Sequence, residues 1–325
     1  MTHKSFWKEL KKPIIGLAPM DGYSDSAFRR ICKEINPEIV TVTEFTSADG
    51  LSFGAERLRK KLSFHPSEQP VFAQIFGKNT ETFITATKLC EDMGFSGIDI
   101  NMGCPSKRVV KSEHGVALRK KPDLAFKLIE SVAQNTSLPV SVKTRLGLKN
   151  ADDLTDFAIG AQNAGANMLC VHARTYAEPY NVPAQHNYLY DLKHHIDIPL
   201  IINGGITSYQ DGMEKCQNCD GFYIGQASFG NPWTFSPHDA PKTIQEKLPI
   251  ILKHSQYLIE DKGELVGTRE IRKHLLQYVK GFYGAKQFRS QLVHVKCYQD
   301  IVKVFDDIIE HESSLKSASL SAISA

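Results

Sequence analysis

No stretch of this chain comes near the ~20 consecutive apolar residues that a bilayer-spanning helix needs, and the opening MTHKSFWKELKK lacks the apolar core of a secretory signal. The expectation is therefore a cytoplasmic protein with no membrane partner. Cysteine is sparse and unpatterned. Seven thiols, an odd number without regular spacing, argue against a disulfide framework and for reduced cysteines. Cys216 and Cys219 form a solitary CxxC with no second pair, and no HxH or HxxxH spacing accompanies the histidines, so no metal site is expected. A glycine-rich dinucleotide fingerprint is also missing, because the first apolar run continues as GLAPMDGYSD. The net charge of +3 excludes little by itself.

What is present is an ordinary globular composition, 325 residues and 42% hydrophobic, enough for one large core and a smaller second one. Apolar runs with β-branched residues read as strands over 14–20, 39–45, 71–76, 97–104, 140–146, 168–173, 200–203 and 221–224. Between them, helical spacing covers 26–35, which Asp25 could cap, and then 81–93, 122–134, 152–164, 188–195 and 209–216. About eight strands, most followed by a helix, match the ~250 residues typical of a (β/α)₈ barrel, here assigned to residues 1–239. An open doubly wound sheet is the rival and wants the fingerprint that is absent. Past Pro237 only helices remain, at 242–261, 268–281 and 286–310. They define a second, all-helical domain over 240–312, with 313–325 expected to be a flexible tail. From Arg269 to Lys296, seven basic residues face the single carboxylate of Glu270 and are interleaved with Tyr278, Phe282, Tyr283 and Phe288. Charge mixed with aromatics suits a phosphate backbone carrying stackable bases. The plainer reading is a packed core with solvated charges.

If the barrel is right, the carboxyl ends of its strands converge on one mouth. Those ends carry Pro19, Met20, Glu44, Gln74, Asn101, Cys104, Lys143, Arg145, His172, Arg174, Asn203, Gly204, Gly205 and Gly225. That set is polar where a barrel floor is apolar. A lysine inside VSVKTRL needs a negative partner or a place at the mouth. The glycines after the last two strands fit the place where barrels bind a phosphate through backbone amides, and Lys143 could stabilise negative charge on a cofactor ring or form a salt bridge. Cys104 reads as nucleophile, proton donor or small buried hydrophobe. With no Cys-His-Asn set nearby, the proton donor is favoured. His172, a lone strand-end histidine, reads as structural or as a hydrogen-bond donor.

Taken together, APMDGYSDSAFRR from Ala18, TEFTSADGL from Thr43, GIDINMGCPSK from Gly97, SVKTRLG from Ser141, VHART from Val171, INGGI from Ile202 and GNPW from Gly230 resemble the tRNA-dihydrouridine synthases. REIRKHLLQYVKGFYGAKQFR resembles the helical tRNA-recognition domain of the bacterial members. The resemblance spans nearly the whole chain in order. It implies an enzyme that reduces the C5=C6 bond of selected uridines in tRNA, using FMN with NADPH (or NADH) as reductant. Hydride would pass from reduced flavin to C6 and a proton from Cys104 to C5. It further implies that Gln74 and Lys143 contact the flavin ring, that Pro19 and Met20 line its pocket, and that His172 sits beside flavin and substrate. Asn203, Gly204, Gly205, Gly225 and Gln226 would hold its phosphate end. Asn101 would hold the uracil edge, and Arg174, Arg272, Lys273, Lys280 and Arg289 would bind tRNA. No obligate protein partner is implied, so a monomer is expected.

The sequence departs from the family pattern at several points. Gln226 stands where arginine is usual, Gly205 where aspartate is common, and Ser112, Glu113 and His114 replace small residues after Cys104. Tyr176 and Glu178 differ in the stretch after VHART. Two other functions stay open on sequence alone: a flavin barrel reductase acting on a small molecule of the dihydroorotate kind, and an RNA-binding protein without catalysis.

Overall fold

The alternating apolar runs form strands that all pair in parallel in the computed structural model, which describes residues 3–323. They are β1 (Ile14–Leu17), β2 (Val40–Val42), β3 (Thr46–Ser47), β4 (Val71–Phe76), β5 (Gly97–Asn101), β6 (Val140–Arg145), β7 (Met168–His172), β8 (Leu200–Asn203) and β9 (Gly221–Ile224). Neighbours follow the order β2-β1-β9-β8-β7-β6-β5-β4. β4 then pairs back onto β2 through Thr41↔Val71 and Val42↔Phe72, which closes an eight-strand barrel. β3 is a two-residue addition on the β2 side of β4.

The strand expected over 39–45 therefore ends at Val42, and the two-residue β3 follows beyond it. Gln74 donates its backbone N–H to the Thr43 hydroxyl at 2.9 Å where a ladder carbonyl would otherwise accept, and the Glu44 carboxylate turns aside to accept from Gly22. The strand expected to run to Cys104 stops at Asn101, because the Asn101 amide oxygen accepts from the N–H groups of Gly103 and Cys104 and folds the chain into a loop. The helices Ser26–Ile35, Thr80–Asp92, Pro122–Gln134, Leu154–Asn163, Asn187–Leu192 and Tyr209–Cys216 lie close to their expected places. Asp25 caps the first of them by accepting from Phe28 N–H at 3.1 Å.

The strand period of two sorts the core into two layers. Ile98, Ile100, Val142, Leu169, Val171, Ile202 and Ile224 face outward into the shell beneath the helices. Ile14, Val42, Phe72, Met168, Cys170, Ile201 and Tyr223 fill the barrel interior together with Trp7, which comes from the short helix Phe6–Glu9. Trp7 is fully buried, with its ring 4.5 Å from that of Phe72, so the amino-terminal segment plugs the floor. Two glycines make room for the large rings. A Cβ on Gly97 would sit 2.0 Å from Phe72, and one on Gly16 would sit 2.3 Å from Tyr223.

The carboxyl-terminal helices build a second core around Ile251, Leu258, Ile271, Leu275, Leu292, Ile301 and Phe305, which Ala27 of the barrel joins. The first, Ile244–Lys262, opens with a capping box in which Thr243 and Glu246 bond each other's backbone. Gly263 separates it from Glu264–Tyr278. The single helix expected over 286–310 is two, Ala285–Leu292 and Tyr298–Ile323, with Asp300 accepting from Lys296 N–H at 2.7 Å where the second begins. The last helix runs on to Ile323 through most of the stretch read as a tail, and 324–325 lie outside the described residues.

Because Trp7 is fully buried at the floor against Phe72, Trp7→Ala is expected to cost about 3–5 kcal/mol, as large aromatic deletions do. Urea unfolding would measure it, and a loss below about 1 kcal/mol would show that the plug is dispensable.

Candidate active site

Parallel register lines up the inward residues of adjacent strands, pairing Asn101 with Lys143, Arg145 with His172, and His172 with Asn203. The loops that follow bring in Pro19, Met20, Cys104, Arg174, Gly204, Gly205, Gly225 and Gln226. All thirteen of these residues line one cavity of about 630 Å³ at the carboxyl ends of the strands. Most of the site expected from sequence is thus gathered in one place.

The cavity is cationic. Lys143 Nζ donates to Asn203 Oδ1 at 3.0 Å. Arg145 donates to the carbonyls of Gly103 and Thr175, both at 3.0 Å, and to the Tyr180 hydroxyl at 3.3 Å. Arg174 donates through Nε to the Val182 carbonyl at 2.6 Å and through Nη1 to His172 Nε2 at 3.0 Å. Among the described residues no carboxylate forms an ion pair with any of the three. Asp21, the acid on the cavity wall, is paired with Lys61. A guanidinium can only donate, so His172 Nε2 accepts. Burial first, and then the three neighbouring cations, drive the His172 pKa down to about 2, so the ring is neutral at physiological pH.

Cys104 is half-buried in the loop after β5, next to Gly103, whose carbonyl Arg145 holds. Burial pushes its thiol above the ordinary value despite Arg145 and Lys143. The loop is held from beneath. Asn101 Oδ1 accepts from Cys104 N–H at 3.0 Å and Gly103 N–H at 3.2 Å, and Asn101 Nδ2 donates to Gln74 Oε1 at 2.9 Å. Gln74 Nε2 donates to Asp99 at 2.6 Å, and Ser141 donates to the other oxygen of that carboxyl at 2.5 Å. Burial raises the Asp99 pKa to about 6. Gln74, expected at the cofactor ring, is therefore fully buried in this chain and absent from the cavity wall. The Asn101 amide is engaged at both ends.

Gly204 and Gly205 adopt φ of +96° and +66°. A Cβ on Gly204 would lie 2.8 Å from the His172 ring, and one on Gly205 3.1 Å from Ala184, so the turn needs glycine at both places. Their carbonyls accept from His186 at 2.9 Å and from Lys215 at 2.8 Å.

The four basic residues of the helical region do not join this site. Arg272 spends Nε and Nη2 on the Val295 carbonyl, and Lys280 bonds Gln277. Arg289 is half-buried on its helix. Lys273 comes nearest, with its ammonium 5.5 Å over the ring of Tyr23. Tyr23, Phe229 and Tyr180 line the cavity without having been singled out from sequence, and nothing in their spacing marks them.

A family model described as dihydrouridine synthase (Dus) matches residues 16–313. The chain belongs to the dihydrouridine synthase family. It is accordingly an oxidoreductase. It is 32% identical to proteins named probable tRNA-dihydrouridine synthase from Staphylococcus aureus (strain MRSA252), over 94% of this chain and 95% of that one, and from Rickettsia bellii, over 94% and 97%. A Bacillus subtilis protein named probable tRNA-dihydrouridine synthase 2 is also 32% identical, over 94% of this chain and 96% of its own. Among solved structures, an old yellow enzyme homologue from Zymomonas mobilis is a remote likeness, 10% identical with a TM-score of 0.47 over 69% of this chain and 87% of that one.

The raised thiol makes a kinetic prediction. In a Cys297→Ser background, which removes the other cysteine that is not buried, iodoacetamide alkylation of Cys104 should rise with pH to a midpoint above the ordinary thiol value of about 8.5. A midpoint below that value would mean an activated thiolate instead of a protonated acid.

Proposed function

We propose that this chain reduces selected uridines of tRNA to 5,6-dihydrouridine, with FMN as cofactor and NADPH or NADH as reductant, acting as a monomer in the cytoplasm. The observation that carries this reading is one cavity lined both by Lys143, Arg145 and Arg174, none of which has a carboxylate partner among the described residues, and by the protonated thiol of Cys104. Its volume of about 630 Å³ lies in the range of cofactor pockets. Its unmatched positive charge fits an anionic, flat, phosphorylated ligand better than a neutral one.

When bound, FMN would supply the hydride for C6 of the uracil. Pro19 and Met20 would form one wall of the ring's pocket and His172, neutral, another. Lys143, fixed by Asn203, would hold negative charge on the ring in a site that excludes water. Gly204, Gly205, Gly225 and Gln226 would face the phosphate end. Cys104 would deliver its proton to C5, a role that needs the thiol kept protonated, as burial keeps it. Asn101 would position the Cys104 loop while its edge meets the base. A base inside folded RNA cannot reach this thiol, so the target uridine must be extruded into the mouth. The barrel, residues 1–239, would be the catalytic part. The helices of 240–312 would grip tRNA through their basic surface, with an affinity that falls as salt rises.

Cys104→Ala should still bind FMN and turn yellow, yet form dihydrouridine more slowly by about 10²–10⁴-fold, the usual worth of a positioned general acid. Mass-spectrometric counting of dihydrouridine in tRNA treated with purified protein would decide it. Unchanged formation by the variant would remove the acid role, and no formation by the unaltered protein would remove the function.

A further inference from the structure

We infer that Arg174 is the cation that holds the phosphate of the bound flavin nucleotide, and not a contact to the RNA backbone. This rests on the FMN reading above. The glycine turn at 204–205 has two basic side chains against it. Lys215 touches the Gly205 carbonyl, but its charge is already matched by Asp211 at 2.7 Å. Gln226, from the neighbouring loop, is neutral. Arg174 remains. It is only 6% exposed, forms no ion pair among the described residues, and lines the cavity.

Its orientation is fixed by the bonds it already makes. Nε is committed to the Val182 carbonyl and Nη1 to His172, so the fork cannot rotate without breaking both. Nη2 makes none of the described hydrogen bonds. It lies 3.8 Å from where a Cβ on Gly205 would stand, and so points at the space that the missing side chain leaves open. Nη2 is thus left facing the cavity without a protein acceptor among the described residues, and a phosphate matches that donor geometry. A backbone phosphate of folded RNA would have to enter the cavity to reach the same atom, whereas the phosphate of FMN would reach it from within.

Flavin-free protein would be titrated with FMN and with riboflavin, which differ only in the phosphate, following the quenching of flavin fluorescence. Arg174→Gln should weaken FMN by about 10- to 100-fold, the worth of one charge-assisted contact, and shift riboflavin by less than about threefold. Arg174→Lys, which keeps the charge and loses the fork, should fall between, and it serves as the readout should the glutamine variant not fold. Equal weakening of both flavins would overturn the inference, since the residue would then act on the ring or on the fold. An unchanged FMN affinity, alongside weaker tRNA binding by the flavin-loaded variant, would also overturn it and assign Arg174 to RNA. If the unaltered protein binds neither flavin, the cofactor reading itself fails and takes this inference with it.

Discussion

Positive charge gathered at the barrel mouth without a carboxylate paired to it among the described residues is the constraint that shapes this molecule. Lys143, Arg145 and Arg174 could each have met a carboxylate, and instead each meets neutral acceptors: an amide oxygen, main-chain carbonyls, a phenol, an imidazole nitrogen. Such partners satisfy hydrogen bonds while leaving the electrostatic field intact. The price appears in the neighbours. His172, beside all three, cannot take up a proton at physiological pH. Asp99, the acid beneath them, has its pKa raised to about 6 by burial even though Lys143 works in the other direction. A site of this kind is built to receive an anion, because a receiving site must leave its charge unspent.

The thiol answers to a different logic. Cys104 is not on a strand, and a loop after a strand is free to wander. Here it is tethered by the chain Ser141, Asp99, Gln74 and Asn101, which runs up through the interior of three adjacent strands and ends on the N–H of Cys104 itself. From the side, Arg145 grips the Gly103 carbonyl. The position of the sulfur is therefore set by rigid barrel residues, Ser141, Asp99 and Gln74 beneath the cavity and Asn101 and Arg145 on its wall, and burial at that position keeps it protonated.

The barrel was legible because its signals are local. Strand and helix periods, Asp25 before a helix and the order of elements all survive in the sequence, and the residues at strand ends were correctly read as converging. Depth was not legible. A period of two tells inward from outward but not how far below the mouth a side chain sits, and that depth is set by the stagger of a closed barrel. Gln74, expected at the cofactor ring, is fully buried and bonded to Asn101 and Asp99 below the cavity wall. Competition is invisible too: the Thr43 hydroxyl accepts the Gln74 N–H where a ladder carbonyl would otherwise do so, and Arg272 commits Nε and Nη2 to the Val295 carbonyl within its own helical region. Charge can be counted along a chain, but whether a donor is already occupied depends on contacts between distant residues.

Those distant contacts also decide how the two halves meet. Tyr23 and Phe229 stack at 4.1 Å and form part of the cavity wall. His274, from the helix Glu264–Tyr278, meets the edge of Tyr23 at 5.8 Å and stacks on Phe28 at 5.0 Å. Gly230, just after Phe229, lets the last barrel loop approach the backbone of Gln277 and Tyr278, where a Cβ would stand 2.4 Å away. His274 and its neighbour His254 are fully buried, and burial lowers both, His254 to about 4, so this part of the seam is made of neutral rings, with ion pairs such as Lys253–Glu34 at 2.5 Å elsewhere along it. The consequence is mechanical. Rings packed this closely cannot slide past each other without opening voids. Displacing the helical region would therefore move Tyr23 and Phe229, and the wall of the cavity with them.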